Sequence, residues 1–406
     1  MTVHETERTE FDPAEFDHFS QEHADDPDPV WHALRQIRGL ARSEKYGGFR
    51  IVSRYSDICE AARTPQLFCS GEGNSLPRHD FPNMIPSDID PPLHHQYRKI
   101  LNVSMAPQAV KEREAEIRAL ADELLAPHAG SGGEIDFCEV FATPFPQFVA
   151  LRTIGFPDSD RATLGPWMHT LTHLRGIDDT AVAEAAVNVF ARLTEHLAQR
   201  RAEPRRDDLF SLLLDADIDG RPMSDEEIIL YTLLLLFGGL DTTSSAIAGS
   251  IYYLAQHPDV RQALLDDEDA MDRAIDEFLR WTSPIQALAR TVTQNTELAG
   301  CPLHAGEKVL LLWGSGNRDE SVFDDAESVV IDRFPNKHLS FGMGPHRCIG
   351  SHLAKLMIKV AIERSIHLLG DFSLADPEGV RWAMGEARGL EKLPLRIGLS
   401  YTGTET

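Results

Sequence analysis

The sequence predicts a mainly α protein with a smaller β portion, folded as one interwoven domain. Three observations carry that expectation. From about residue 93 to 282 the apolar residues recur with helical spacing. The strand-like runs are short and come from both ends of the chain, at about 40–53, 285–335 and 390–400. No internal repeat or low-complexity linker divides the chain into modules.

Residues 1–26 are polar and acidic and read as a loose lead-in, leaving 27–406 as the folded domain. Pro29 opens a short amphipathic helix, 30–37. The runs 41–44 and 49–52 flank Tyr46-Gly47-Gly48 as a β-hairpin. Helix returns over 55–63. The stretch 66–92 is rich in Gly, Pro, Ser and Asn and reads as a long loop, a length often tied to function. The helical part breaks near 130–133, 144–146, 155–157 and 204–206. Strands are expected at 289–293, 309–313, 329–331 and 393–399, with a strong helix at about 350–370.

Composition removes several function classes. The 406 residues include 64 Asp and Glu against 39 Lys and Arg, a formal net charge of −25. Nucleic acid needs a basic footprint, so it is excluded, as are anionic membrane surfaces. The five cysteines are odd in number and form no CxxC pair, which argues against a disulfide framework or a Cys-rich zinc site. The N-terminus shows no apolar signal-like segment, and the longest apolar run, 228–240, is shorter than the ~18 residues of a spanning helix. A cytoplasmic location is expected.

Two segments carry chemistry. Ser224-Asp225-Glu226-Glu227 is a capping box, and the helix it starts should run to about Gln256. In its middle lies Gly238-Gly239-Leu240-Asp241-Thr242-Thr243. Adjacent glycines cost about 1 kcal/mol each in a helix. They read either as a packing notch with a hydroxyl bonding back one turn, or as room for something flat beside an acid and an alcohol that handle protons. The second segment, Phe341-Gly342-Met343-Gly344-Pro345-His346-Arg347-Cys348-Ile349-Gly350, precedes the helix 351–369. Cys348 thus sits on a glycine-rich turn at a helix N-terminus, where loop amides and the helix dipole favour a thiolate. A thiolate is a nucleophile or a metal ligand; a lone Cys is otherwise a small buried hydrophobe.

This second segment resembles the haem-binding signature of the cytochrome P450 family. Glu277-Phe278-Leu279-Arg280 resembles the family's Glu-x-x-Arg pair, and residues 238–243 its oxygen-activating stretch. Residues 90–98, Asp-Pro-Pro-Leu-His-His-Gln-Tyr-Arg, resemble the helix that reaches the haem carboxylates, and Asp332-Arg333-Phe334 the segment before the Cys loop. The motifs stand in family order from about residue 27 to 398. The fold implied is the cytochrome P450 fold, with haem between the long central helix and the Cys-loop helix.

The resemblance implies haem b with Cys348 as axial ligand, and Phe341, Gly342, Gly344 and Gly350 shaping the loop against the ring. His94, Arg98, Arg290 and His346 would bind the propionates, with His95 a rival to His94. Glu277 and Arg280 would form a buried structural pair. Thr242 would donate protons at the oxygen site and Asp241 would relay them from solvent. Substrate-pocket candidates are Met84, Ile85, Leu234, Phe237, Gly238, Ile285, Leu288 and Ala387, with Gln286 as a polar contact and 167–173 in a mobile lid. The reaction implied is insertion of one atom of O2 into a small hydrophobic substrate of terpenoid, aromatic or secondary-metabolite type. No flavin or iron–sulfur signature is present, so electrons would come from a separate ferredoxin and ferredoxin reductase. They would dock on Lys99, Arg347, Lys355 and Lys359 of a monomer. Competing readings are a non-oxygenating haem-thiolate catalyst (rearrangement, dehydration or nitration) and a haem sensor or carrier.

Overall fold

The most apolar stretch of the chain becomes the axis of the fold. A computed structural model describes residues 11–78, 82–267, 269–383 and 385–398. The helices that frame the site are, in chain order, α1 (Tyr55–Arg63), α2 (Leu93–Asn102), α3 (Pro144–Ile154), α4 (Arg161–His173), α5 (Asp225–Leu240), α6 (Thr242–Gln256), α7 (Ala270–Thr282) and α8 (Ser351–Leu369). The capping box starts α5 as expected: Ser224 accepts from the Glu227 N–H, and the Glu227 carboxylate accepts from the Ser224 N–H. The stretch 225–256 is long and apolar enough to cross a bilayer by length and composition alone. Its side chains are instead largely spent on the core, with α3 packed on α5, and α7 and α8 packed on α6.

The single helix expected over 224–256 is broken. Asp241 has φ −125° and ψ −42° and separates α5 from α6. Hydroxyls crowd the junction: Thr242 donates to the Gly238 carbonyl at 2.8 Å, Ser244 to Leu240 at 3.2 Å and Ser245 to Asp241 at 3.1 Å. Such side chains compete with backbone N–H groups for the same carbonyls and bend a helix.

A five-stranded sheet forms from β1 (Ala41–Ser43), β2 (Phe49–Val52), β3 (Phe68–Cys69), β4 (Leu288–Val292) and β5 (Lys308–Leu311), in the order β1-β2-β5-β4-β3. Only β2 and β5 run parallel. Strands from both ends of the sequence therefore meet in one sheet, as the interwoven reading requires.

Three local expectations fail. Residues 11–26 are packed rather than loose: Phe16 and Phe19 are buried and His23 Nε2 meets Gln286 Oε1 at 3.0 Å. Residues 1–10 of that stretch lie outside the described residues. No strand forms at 329–331, because the Val330 N–H is drawn to the Glu277 carboxylate at 2.8 Å instead of to a neighbouring strand. Trp313 begins a short helix, Trp313–Gly316, rather than ending a strand.

Candidate active site

The Cys loop is built by its own backbone. The Gly342 N–H donates to Leu339 at 2.7 Å and the Cys348 N–H to Phe341 at 2.8 Å, closing a turn before α8. Gly342 and Gly344 have φ of +65° and +73°, a region that strongly favours glycine. A Cβ on Gly344 would stand 2.2 Å from the Ala62 carbonyl oxygen, so this glycine seats the loop on the end of α1. That differs from its expected place against a flat ring.

Cys348 is the one exposed thiol of the five, and its exposure is toward a cavity of about 370 Å³. Burial in the wall pushes its pKa up, while the Gly350 N–H and the charges of Arg98 and Arg347 pull it down. The protein alone thus holds the thiol above its ordinary value, where the loop position had pointed to a thiolate. The other four cysteines do not line the cavity: Cys59 and Cys138 are buried, Cys69 and Cys301 partly so, and Cys138 Sγ donates to the Leu390 carbonyl at 3.3 Å.

The four basic residues expected at the propionates line the same cavity. His94, Arg98, Arg290 and His346 are all in its wall; His95, exposed on α2, is not. The His94 and His346 rings lie 4.4 Å apart, and His94 Nδ1 and His346 Nε2 are buried polar atoms without a hydrogen-bond partner. Burial, then the nearby cations, lowers His94 to about 4 and His346 to about 2. Burial also brings Arg290 down to about 10. Cationic forms here are costly until an anion joins them.

Behind the loop, Glu277 and Arg280 form a bidentate pair of 2.8 Å contacts, both side chains at 0 % exposure. Glu277 also accepts from Arg333 Nε at 3.0 Å and Asn336 Nδ2 at 2.9 Å. Burial raises the Glu277 carboxyl, but Arg280 and Arg333 bring it below its ordinary value. Arg280 donates to the Asn317 carbonyl at 2.7 Å, and the Asn317 side chain holds Leu339 N at 2.6 Å and Ser340 Oγ at 2.9 Å. The ion pair is thereby tied to the Cys loop.

On the opposite wall the two glycines divide the two readings between them. Both line the cavity, but a Cβ on Gly239 would meet Ala150 Cβ of α3 at 2.8 Å, a packing notch, whereas one on Gly238 would meet nothing within 4 Å. Asp241 and Thr242 line it too. Asp241 Oδ2 meets His173 Nε2 of α4 at 2.6 Å. Burial raises the Asp241 carboxyl, yet the charge and hydrogen bond of His173 and the charge of His169 leave it below its ordinary value.

Residues 170–388 match the cytochrome P450 family. The steroid C26-monooxygenase of Mycolicibacterium smegmatis is 38% identical over 334 residues, covering 81% of this chain and 82% of its own. The chain is a cytochrome P450. It is also 30% identical to cytochrome P450-terp of a Pseudomonas species, over 93% of this chain and 95% of that one. The structure of CYP109E1 from Bacillus megaterium in complex with testosterone matches with a TM-score of 0.85 at 27% identity, covering 93% of this chain and 99% of that one.

This P450 is a monooxygenase that binds haem b, and its residues fit that cofactor. The lone exposed thiol, the two unpartnered imidazole nitrogens and the buried guanidinium of Arg290 share one cavity. They supply a soft ligand and a cradle for two carboxylates. Of the pocket candidates, Met84, Leu234, Phe237, Gly238, Ile285, Leu288 and Ala387 line the cavity. Ile85 does not; it is buried in the core. Nor does Gln286, which is fully buried and clamps His23 and the carbonyls of His18 and Gly385. Sequence reasoning missed much of the polar part of the P450's wall, including Asn74, Ser75, Arg175 and Glu386. Arg175 Nη2 lies 3.5 Å from Glu386 Oε2, joining residues 211 apart, which no local pattern reveals.

Proposed function

We propose that this P450 monooxygenase inserts one oxygen atom into a largely apolar, polycyclic or terpenoid-like substrate, using electrons from a separate ferredoxin. The observation that carries the reading is one cavity shared by Cys348, the pair Asp241 and Thr242, and a mostly apolar wall. Relatives named for steroid oxidation and a testosterone complex support an extended ring system. The pair Arg175 and Glu386 in the wall favours a substrate with one polar group at an end.

When bound, haem supplies the redox iron that activates dioxygen, with thiolate donation from Cys348 favouring O–O cleavage, a property of the family. His94, Arg98, Arg290 and His346 would neutralise its propionates, and Phe341, Gly342 and Gly350 line its side of the cavity. Thr242 Oγ1 would hold a proton at the cavity face. Its bond to the Gly238 carbonyl fixes the oxygen and leaves its lone pairs as acceptors. Asp241 stands next in line as proton source.

Electrons would enter from the Cys348 side. Lys99 and Arg347 are exposed there, while Lys355 pairs with Asp276 and Lys359 with Asp272 at 2.7 Å. The docking reading therefore leans on Lys99 and Arg347.

A panel of steroids, terpenoids and fatty acids, scored by low- to high-spin Soret shift and then by product mass with surrogate ferredoxin and reductase, tests the reading. Product gaining one oxygen from labelled O2 is expected for a ring compound. Thr242→Ala should keep the spin shift but divert reducing equivalents to hydrogen peroxide. Unchanged product per NADPH in that variant would remove Thr242 from its role.

A further inference from the structure

Each oxygen atom inserted requires two protons from solvent, and behind Asp241 a row of titratable side chains leads from the cavity to the surface. His169 Nε2 and Glu391 Oε1 lie 3.4 Å apart, with side chains 44% and 46% exposed. The His169 ring is 4.6 Å from that of His173, one turn along α4. His173 is 4% exposed and meets Asp241 Oδ2 at 2.6 Å; Asp241 opens to the cavity beside Thr242. One ligating atom from each of His169, His173 and Asp241 lies within 4.8 Å of the others, so a single water spans any gap.

We propose that His169 and His173 form a proton relay from solvent to Asp241; this rests on the oxygenase reading above. The His173 imidazolium breaks its Nε2–H bond and forms an O–H bond on Asp241 Oδ2. No electron is transferred in this step. Asp241, now neutral, passes the proton to the Thr242 side of the cavity and returns to carboxylate. The neutral His173 regains a proton from His169, and His169 from water at the surface. Among the described residues, titratable groups facing His173 include Asp241 from the α5–α6 junction, His169 from its own helix, and Glu391 from the strand Leu390–Lys392. Arg175 and Glu386, close by, pair with each other. An imidazole suits the task because it gains and loses a proton near neutral pH, whereas a guanidinium in the same ion pair would not.

The test separates relay from simple charge pairing by comparing His173→Gln with His173→Arg. The haem-loaded proteins are given NADPH, a plant-type ferredoxin and its reductase without organic substrate, and oxygen consumption is followed from pH 6 to 9 in H2O and D2O. Wild type should slow as pH rises through the histidine range. Both variants should run at least five-fold slower at pH 7, with a flatter pH profile and a larger D2O effect, while the thiolate–CO band and the rate of haem reduction stay the same. Wild-type rates in His173→Arg would overturn the relay, since charge alone would then suffice. A second readout is independent of turnover. In 13C-histidine NMR of the haem-loaded protein, the signal lost in His173→Gln should titrate at lower pH in Asp241→Asn. An unmoved titration would overturn the coupling. A wild type that lacks the thiolate–CO band would instead sink the oxygenase reading itself.

Discussion

Glu277→Gln removes one charge from a site where every oxygen is in use. The carboxylate accepts two bonds from Arg280 and one each from Arg333, Asn336 and the Val330 N–H, at 0 % exposure. The amide keeps the volume but turns an acceptor into a donor facing donors, and leaves two guanidiniums without a counter-charge. Breaking a buried pair from one side costs about 3–5 kcal/mol. With an unfolding entropy of roughly 2.1 cal/mol/K per residue over the whole chain, melting should fall by about 4–6 °C. Because Arg280 reaches Leu339 and Ser340 through Asn317, haem retention should fall as well. The pH dependence has a definite sign. The folded carboxyl lies below its ordinary value, so its contribution is complete above the unfolded pKa of about 4.3 and disappears as pH falls through the folded one. The gap between wild type and variant, read by thermal unfolding at neutral and acid pH, should therefore narrow in acid. An unchanged melting temperature at pH 7, or a gap that widens in acid, would refute the argument.

Cys348→Ser should abolish the thiolate–CO band, while Cys138→Ala, far from the cavity wall, should keep it; a band near that of wild type in the serine variant would exclude Cys348 as ligand. Gly344→Ala should destabilise by about 1–3 kcal/mol or more, since its Cβ would stand 2.2 Å from the Ala62 carbonyl, and chemical denaturation would show it as a lower midpoint. Arg347→Ala should slow stopped-flow reduction by a ferredoxin and weaken its salt dependence, because rim charges act on association rate. Lys359→Ala, whose charge is already spent on Asp272, should do little; equal rates and salt slopes for wild type and Arg347→Ala would place docking elsewhere.

What could be read from the sequence was what is local. Cys348 and the turn around it, the capping box of α5, and the i, i+3 spacing of Glu277 and Arg280 are each set within a few residues. So is the His94–Arg98 pair, but the choice against His95 needed the rotation of α2 relative to the cavity. The glycine pair shows the limit sharply: of two adjacent residues of one type in the cavity wall, one is pressed against Ala150 of α3 and the other has open space beside it. Asp241 stood out as an acid in an apolar helix, yet the break there depends on three neighbouring hydroxyls bonding backwards. His173, Arg175, Arg333 and Glu386 act through partners 56 to 211 residues away. A histidine on a helix carries no mark of the carboxylate it will meet.

Near Ile285 and Ala387 the wall of the cavity is joined by main-chain bonds. Those two residues form an isolated bridge, flanked by Gln286 N to Glu386 O and Arg388 N to Pro284 O, each 2.8 Å. Main-chain bonds are indifferent to the side chains they carry. Substitution at 285 or 387 therefore leaves these bonds in place, while the burial of Ala387 and the packing of Ile285 against the core bound the size of side chain that fits. Gln286, pointing the other way into its clamp, holds the segment in place throughout. Support and selectivity are written in different atoms of the same few residues. A chain built like this can acquire a new substrate by drift at these positions, and an engineer can do the same by saturating 285 and 387 together.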